Sequence, residues 1–179
     1  MTYAAPGQVI SVLGAGAWGT VIAWLLANNG HQVRLWTRRR EHAAAIAADR
    51  VNSEYLPYLP LSTLVTPTSD LRAALEGAAL TFVVVPSRAL VSLMTALPPV
   101  AALVSCSKGM ELAGFRRLSQ VMQAARPGVR VAALSGPNLA GEIAAGLPAA
   151  TTVASTDEDM ALTVQALLQQ STFRVYTSS

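Results

Sequence analysis

Apolar, β-rich runs alternate along the chain with alanine- and leucine-rich stretches of helical length, the pattern that yields a parallel sheet covered by helices. The spacing predicts a strand over 8–13, a helix over 17–29 ending on Gly30 as a natural C-cap, a strand over 33–36 and a helix over 40–48. Residues 52–60 carry Pro57, Pro60, Tyr55 and Tyr58 and suit an ordered surface excursion better than a helix. A short strand over 64–66 leads to a helix capped by Ser69 or Asp70, and the run 80–85 reads as a fully buried strand that stops at Pro86. Beyond it the alternation continues with a helix (88–97), a strand (102–105), a helix (116–125), a strand (130–134), a helix (139–145), a strand (151–154), a helix (158–169) and a last strand (173–176). The chain thus reads as βαβ throughout, one α/β domain over 1–179 with a doubly wound, mostly parallel sheet and helices on both faces.

Where the first strand meets the first helix stands Gly14-Ala15-Gly16-Ala17-Trp18-Gly19. Glycine-rich turns are common, but here a strand enters and a helix leaves, which makes the fold Rossmann-type and the loop a candidate phosphate cradle. In such a loop Gly14 permits the tight turn, Gly16 lets a pyrophosphate approach the backbone, and Gly19 lets helix and strand pack closely. Free N–H groups and the helix dipole then hold the phosphates, so a nicotinamide dinucleotide is the expected ligand. Dinucleotide folds that select NAD carry an acidic residue at the end of the second strand, and none stands here. Arg38 and Arg39 stand there instead, suited to a 2′-phosphate or to stacking on adenine, so NADPH is at least as plausible a cofactor as NADH. The two arginines also read as a solvated helix start, and Trp18 as either a wall of the cofactor pocket or a cover over the sheet.

Composition narrows the picture. With 52% hydrophobic and 13% charged residues the chain is globular rather than disordered. Its longest apolar stretches, such as 78–86, fall far below the ~20 residues of a membrane span. The first seven residues show no basic region before an apolar core, so no secretory signal and a cytosolic protein are expected. The single cysteine, Cys106, follows an apolar run and reads as core packing rather than a reactive thiol. The net charge of +3 is thinly spread, and its only basic run, Arg38 to Arg40, has no interleaved aromatics, so nucleic acid is not an expected partner. A basic surface does attract anionic metabolites. No metal site is expected.

Polar residues directly after later strands face the same crevice in this kind of fold. Three corners qualify: Val85-Pro86-Ser87, Ser107-Lys108-Gly109-Met110-Glu111 and Ser135-Gly136-Pro137-Asn138. Lys108, at the mouth of a buried strand, can polarise a carbonyl or bind a phosphate, or be a plain solvated lysine. Gly136 and Asn138 can present a backbone N–H and a side-chain amide to a substrate oxygen, or form an ordinary turn with Asn138 as N-cap. Ser87 reads as an N-cap and Glu142 as a helix-start carboxylate.

These segments, together with Leu35-Trp36-Thr37-Arg38, Tyr55-Leu56-Pro57 and Leu139-Ala140-Gly141-Glu142, closely resemble bacterial-type NAD(P)-dependent glycerol-3-phosphate dehydrogenase, in order over nearly the whole chain. The resemblance implies hydride transfer between NAD(P)H and dihydroxyacetone phosphate to give sn-glycerol 3-phosphate, a phospholipid precursor. It places Ala17, Trp18, Arg38, Arg39 and Ala140 at cofactor-contacting positions, Lys108 where cofactor and substrate are both contacted, and Gly136 and Asn138 at the substrate. Many bacterial relatives carry serine or threonine in place of Asn138, so that contact is altered rather than lost. The family continues into a second, helical domain with a catalytic lysine and phosphate-gripping residues, and the close of this sequence right after a strand suggests a fragment. Such a piece is expected to bind cofactor with little or no turnover, Lys108 serving as an electrostatic helper. A homodimer of the full-length protein stays open, as do two other readings: a different 6-phosphogluconate dehydrogenase-like reductase, such as a ketopantoate or hydroxyacid reductase, and a non-catalytic NAD(P)-binding module.

Overall fold

The computed structural model describes residues 7–179, so the stretch from Met1 to Pro6 read above for a secretory signal lies outside the described residues. In chain order the elements are β1 (Val9–Leu13), α1 (Ala17–Asn28), β2 (Gln32–Trp36), α2 (Arg40–Asp49), β3 (Val51–Asn52), β4 (Leu56–Pro60), β5 (Val65–Thr68), α3 (Leu71–Leu75), β6 (Leu80–Val83) and α4 (Ser87–Ala96). They continue with β7 (Ala102–Ser105), β8 (Met110–Glu111), β9 (Arg116–Arg117), α5 (Leu118–Ala125), β10 (Arg130–Ser135), α6 (Ala140–Ala144), β11 (Ala149–Ala154), α7 (Glu158–Leu168) and β12 (Phe173–Ser178).

Eight strands form one sheet in the order β12-β11-β10-β7-β6-β1-β2-β5. The chain starts in the middle, winds outward through β2 to β5, then returns past β1 to β6, β7 and β10, all parallel. This doubly wound Rossmann topology opens a crevice beyond the carboxyl ends of β1 and β6, where the winding reverses. Period-two alternation divides the central strands between two cores. Ile10, Val12, Phe82 and Val104 face α1 and α7, whereas Leu13, Val83 and Leu103 face α4 and α5. Phe82 is fully buried, worth about 1.5–3 kcal/mol relative to exposure.

The reading of uninterrupted βαβ units needs one correction. β11 runs antiparallel to β10 and pairs with it over three residues only, Ala133 with Ala154, Leu134 with Val153 and Ser135 with Thr152. The cause is the connection. α6 is a single turn, about 7.5 Å of rise, too short to return along a strand of roughly 20 Å, so the chain turns back from the same end. β12 then pairs parallel with β11 over six residues, and the last two strands form a wing joined to the rest by a three-residue seam.

Smaller departures follow from local geometry. The 52–60 excursion folds back as the β3–β4 hairpin, with an irregular register between Val51 and Asn52. Arg116 and Arg117 pair with Glu111 and Met110 as a second hairpin, so α5 begins at Leu118 rather than 116. β6 ends at Val83, two residues early, because the chain turns there into the crevice wall. Gly30 follows the C-cap Asn29 with φ 83° and donates its N–H to the Ala27 carbonyl, the left-handed position that favours glycine. Asp70, not Ser69, caps α3, its carboxylate accepting from the N–H groups of Arg72 and Ala73. Among the described residues no helix is long and apolar enough to cross a membrane.

Candidate functional site

The crevice, about 740 Å³, is walled by the glycine loop, the residues after β2, the Val84 to Pro86 turn and Ser107-Lys108 after β7. The three loop glycines answer to different neighbours. A Cβ on Gly14 would stand 2.5 Å from the Val84 carbonyl oxygen, and its φ of 124° disfavours any side chain. A Cβ on Gly19 would stand 1.7 Å from the Gly14 carbonyl oxygen. At Gly16 nothing lies within 4 Å, and its φ of −77° is open to any residue. Gly14 and Gly19 are therefore required by the packing of β1, α1 and β6, while the space beside Gly16 opens on the crevice. Gly16 is also the N-cap of α1, with no side-chain cap and no acidic residue in the first turn. Uncapped N–H groups and an uncompensated dipole end fit a pyrophosphate.

Trp18 both covers the sheet and lines the crevice. Its half-buried ring packs on Phe173, centroids 6.3 Å apart and planes tilted by 57°. At the other end Arg38 is exposed along the wall and makes no ion pair among the described residues. Arg39, the N-cap of α2, is bound to the Glu54 carboxylate, and that hydrogen bond holds the Glu54 carboxyl below the usual range. Arg38 is thus the freer of the two cations for an anionic group.

Lys108 stands at the mouth of β7, and its Nζ lies 3.4 Å from the backbone carbonyl oxygen of Asn138. Two of the three corners found in the sequence are thereby brought together. Gly136 lies against β11, where a Cβ would come within 3.0 Å of the Ala150 carbonyl oxygen. Asn138 is buried, its Nδ2 donating at 3.0 Å to Thr151 Oγ1, which in turn donates to the Ser135 carbonyl. Asn138 Oδ1 has no partner among the described residues. The N-cap of α6 is Leu139, so the reading of Asn138 as a helix cap is set aside. Ala140, the first residue of α6, is half-buried against the α1 core. Ser87 is the first residue of α4 and not its cap, which is Pro86. Cys106 is buried and its thiol is pushed far up by desolvation, a packed and unreactive group.

The sequence profile of the NAD-dependent glycerol-3-phosphate dehydrogenase N-terminus matches residues 9–161. The chain belongs to this family. Among curated glycerol-3-phosphate dehydrogenases [NAD(P)+], that of Pseudomonas syringae pv. tomato is 48% identical over 177 residues, covering 96% of this chain and 51% of the relative. That of Thermus thermophilus is 49% identical over 173 residues, covering 94% and 52%. The crystal structure of glycerol-3-phosphate dehydrogenase from Coxiella burnetii superposes with a TM-score of 0.88 at 33% identity, over 97% of this chain and 54% of that one. The chain spans about half the length of the curated glycerol-3-phosphate dehydrogenases it matches.

Sequence reasoning passed over one part of this domain. Behind the glycine loop the β3–β4 hairpin inserts Asn52, fully buried, and beside it lie buried His42 and the Tyr55 ring, 5.8 Å from the imidazole. His42 and Tyr55 also line the crevice. The signal available was weak: a lone histidine in the first turn of a helix and an asparagine at the start of a surface excursion. Among the described residues no cluster of His, Cys, Asp and Glu is placed to hold a metal ion.

Proposed function

We propose that this chain is the cofactor-binding half of an NAD(P)-dependent glycerol-3-phosphate dehydrogenase that reduces dihydroxyacetone phosphate to sn-glycerol 3-phosphate. One observation carries the reading: Lys108 and the Asn138 backbone meet at 3.4 Å beside the crevice that the glycine loop opens. Ala17, Trp18 and the loop glycines face the pyrophosphate, Arg38 the adenosine end, Arg39 acts there through its hold on Glu54, and Ala140 closes the far side. When bound, the reduced nicotinamide supplies the hydride. Lys108 holds positive charge near the carbonyl oxygen that gains negative charge in the reaction, which lowers the barrier. Gly136 and Asn138 position the substrate from the β10–α6 corner, where Asn138 is buried and held to Thr151. Hydride transfer also needs an acid for the nascent alkoxide, and a second, helical domain is the proposed source. A cytosolic setting and a homodimer of the full-length protein belong to this reading as well.

The test has two arms. NADPH titrated into the 179-residue chain and into R38A should give saturable binding, weaker in the variant, read from tryptophan fluorescence. A protein carrying this chain joined to the relatives' second half should oxidise NADPH only with dihydroxyacetone phosphate, and K108A should slow it about 100-fold. No oxidation by the folded, joined protein would end the assignment, and an unchanged K108A rate would remove Lys108 from the site.

A further inference from the structure

The cofactor loop has a buried polar support of its own. Asn52 Nδ2 donates to the Ala15 carbonyl oxygen at 2.9 Å and to Thr20 Oγ1 at 2.7 Å, bridging the turn and the first turn of α1. Both amide protons are thereby committed, so Oδ1 must accept, and it faces His42 Nε2 at 3.0 Å. The proton on His42 therefore sits at Nε2. Its Nδ1, 3.2 Å from Thr37 Oγ1, is left to accept from that hydroxyl. Thr37 follows β2 at the adenosine end of the crevice, and its N–H pairs with the Thr68 carbonyl of β5. A directed chain of hydrogen bonds thus runs from Thr37 through His42 and Asn52 to the Ala15 carbonyl, with every member buried.

We infer that Asn52 is a positioning residue for the phosphate loop, oriented by the Nε2–H of His42. Drawing the Ala15 carbonyl back into the protein keeps that oxygen away from an incoming pyrophosphate. The N–H groups at the start of α1 are left facing the crevice. The His42 donor matters because an asparagine amide turned end for end would present an oxygen to the Ala15 carbonyl and repel it. Neither residue needs to touch the cofactor. The inference rests on the cofactor-binding reading given above.

The experiment uses ADP-ribose, which carries the pyrophosphate, and adenosine, which does not, as probes of the 179-residue chain by calorimetric titration and competition. N52A and H42L should weaken ADP-ribose binding by about tenfold and leave adenosine nearly unchanged. H42Q should restore most of the ADP-ribose affinity, since its amide nitrogen lies as many bonds from the backbone as the imidazole Nε2. Should N52A fail to fold, H42L and H42Q, with melting temperatures measured alongside, decide the matter by themselves. Equal ADP-ribose affinity in wild type and folded H42L, no recovery in H42Q, or equal losses for both probes would overturn the inference. A wild-type chain that binds neither ADP-ribose nor NADPH overturns the cofactor reading instead.

Discussion

The glycine loop separates folding from binding within six residues. A methyl group at Gly14 or Gly19 collides with backbone oxygens that cannot retreat without parting α1 from the sheet. We expect G14A and G19A to lose roughly 2–4 kcal/mol of stability or fail to fold. G16A meets open space and a permissive backbone, so its melting temperature should stay within about 2 °C of wild type while NADPH affinity falls about tenfold. Thermal unfolding beside a binding titration checks both, and a G16A protein that melts early would contradict the assigned division. At His31, desolvation by burial lowers the pKa below the ordinary 6.5. The unfolded chain takes up a proton as pH falls through about 6.5, whereas the folded chain resists it, so stability is full above that pH and declines below it. Urea unfolding should give a lower free energy at pH of about 5.5 than at about 7.5, and H31L should flatten that part of the dependence.

At the scale of elements, the strands that were legible in sequence are those whose two faces are both buried, because they show as unbroken apolar runs: β1, β6 and β7 lie within two residues of expectation. The elements that were not legible lack such a run. β3, β8 and β9 have two residues each and owe their form to the partner across the turn. The direction of β11 was hidden too, since a strand carries the same residues whichever way it runs, and only the length of α6 decides. Charge was legible as a total and not in its uses. Arg50 donates to the carbonyls of Val65, Leu61 and Ser62, and Arg126 to those of Met94 and Leu97, so both hold loops together rather than meet anions. In the site, the glycine loop and the Lys108 and Gly136 to Asn138 corners were readable because their spacing after strands is local. Asn52 and His42 were not, because their partners lie as far as 37 residues away.

Over the whole molecule, the doubly wound sheet explains why one end carries both the loop and the corners, and why a chain half the length of its relatives has a two-sided core. The sheet is nevertheless uneven. The wing formed by β11, α7 and β12 is paired to β10 over three residues, and it is held further by α7 packing on the core, by Asn29 Nδ2 donating to the Leu167 carbonyl and by Gln170 Nε2 donating to that of Leu25. We expect this wing to open in hydrogen exchange as a separate cooperative unit. Amides of β11 and β12 should become deuterated through a partial opening well before those of β1, β6 and β7, which exchange only when the whole domain opens. Uniform rates across all five strands would mean that the three-residue seam is no weaker than the rest. Because the Asn138 to Thr151 hydrogen bond crosses that seam, a ligand seated at the corner would also report itself at a distance, as slowed deuteration along β11.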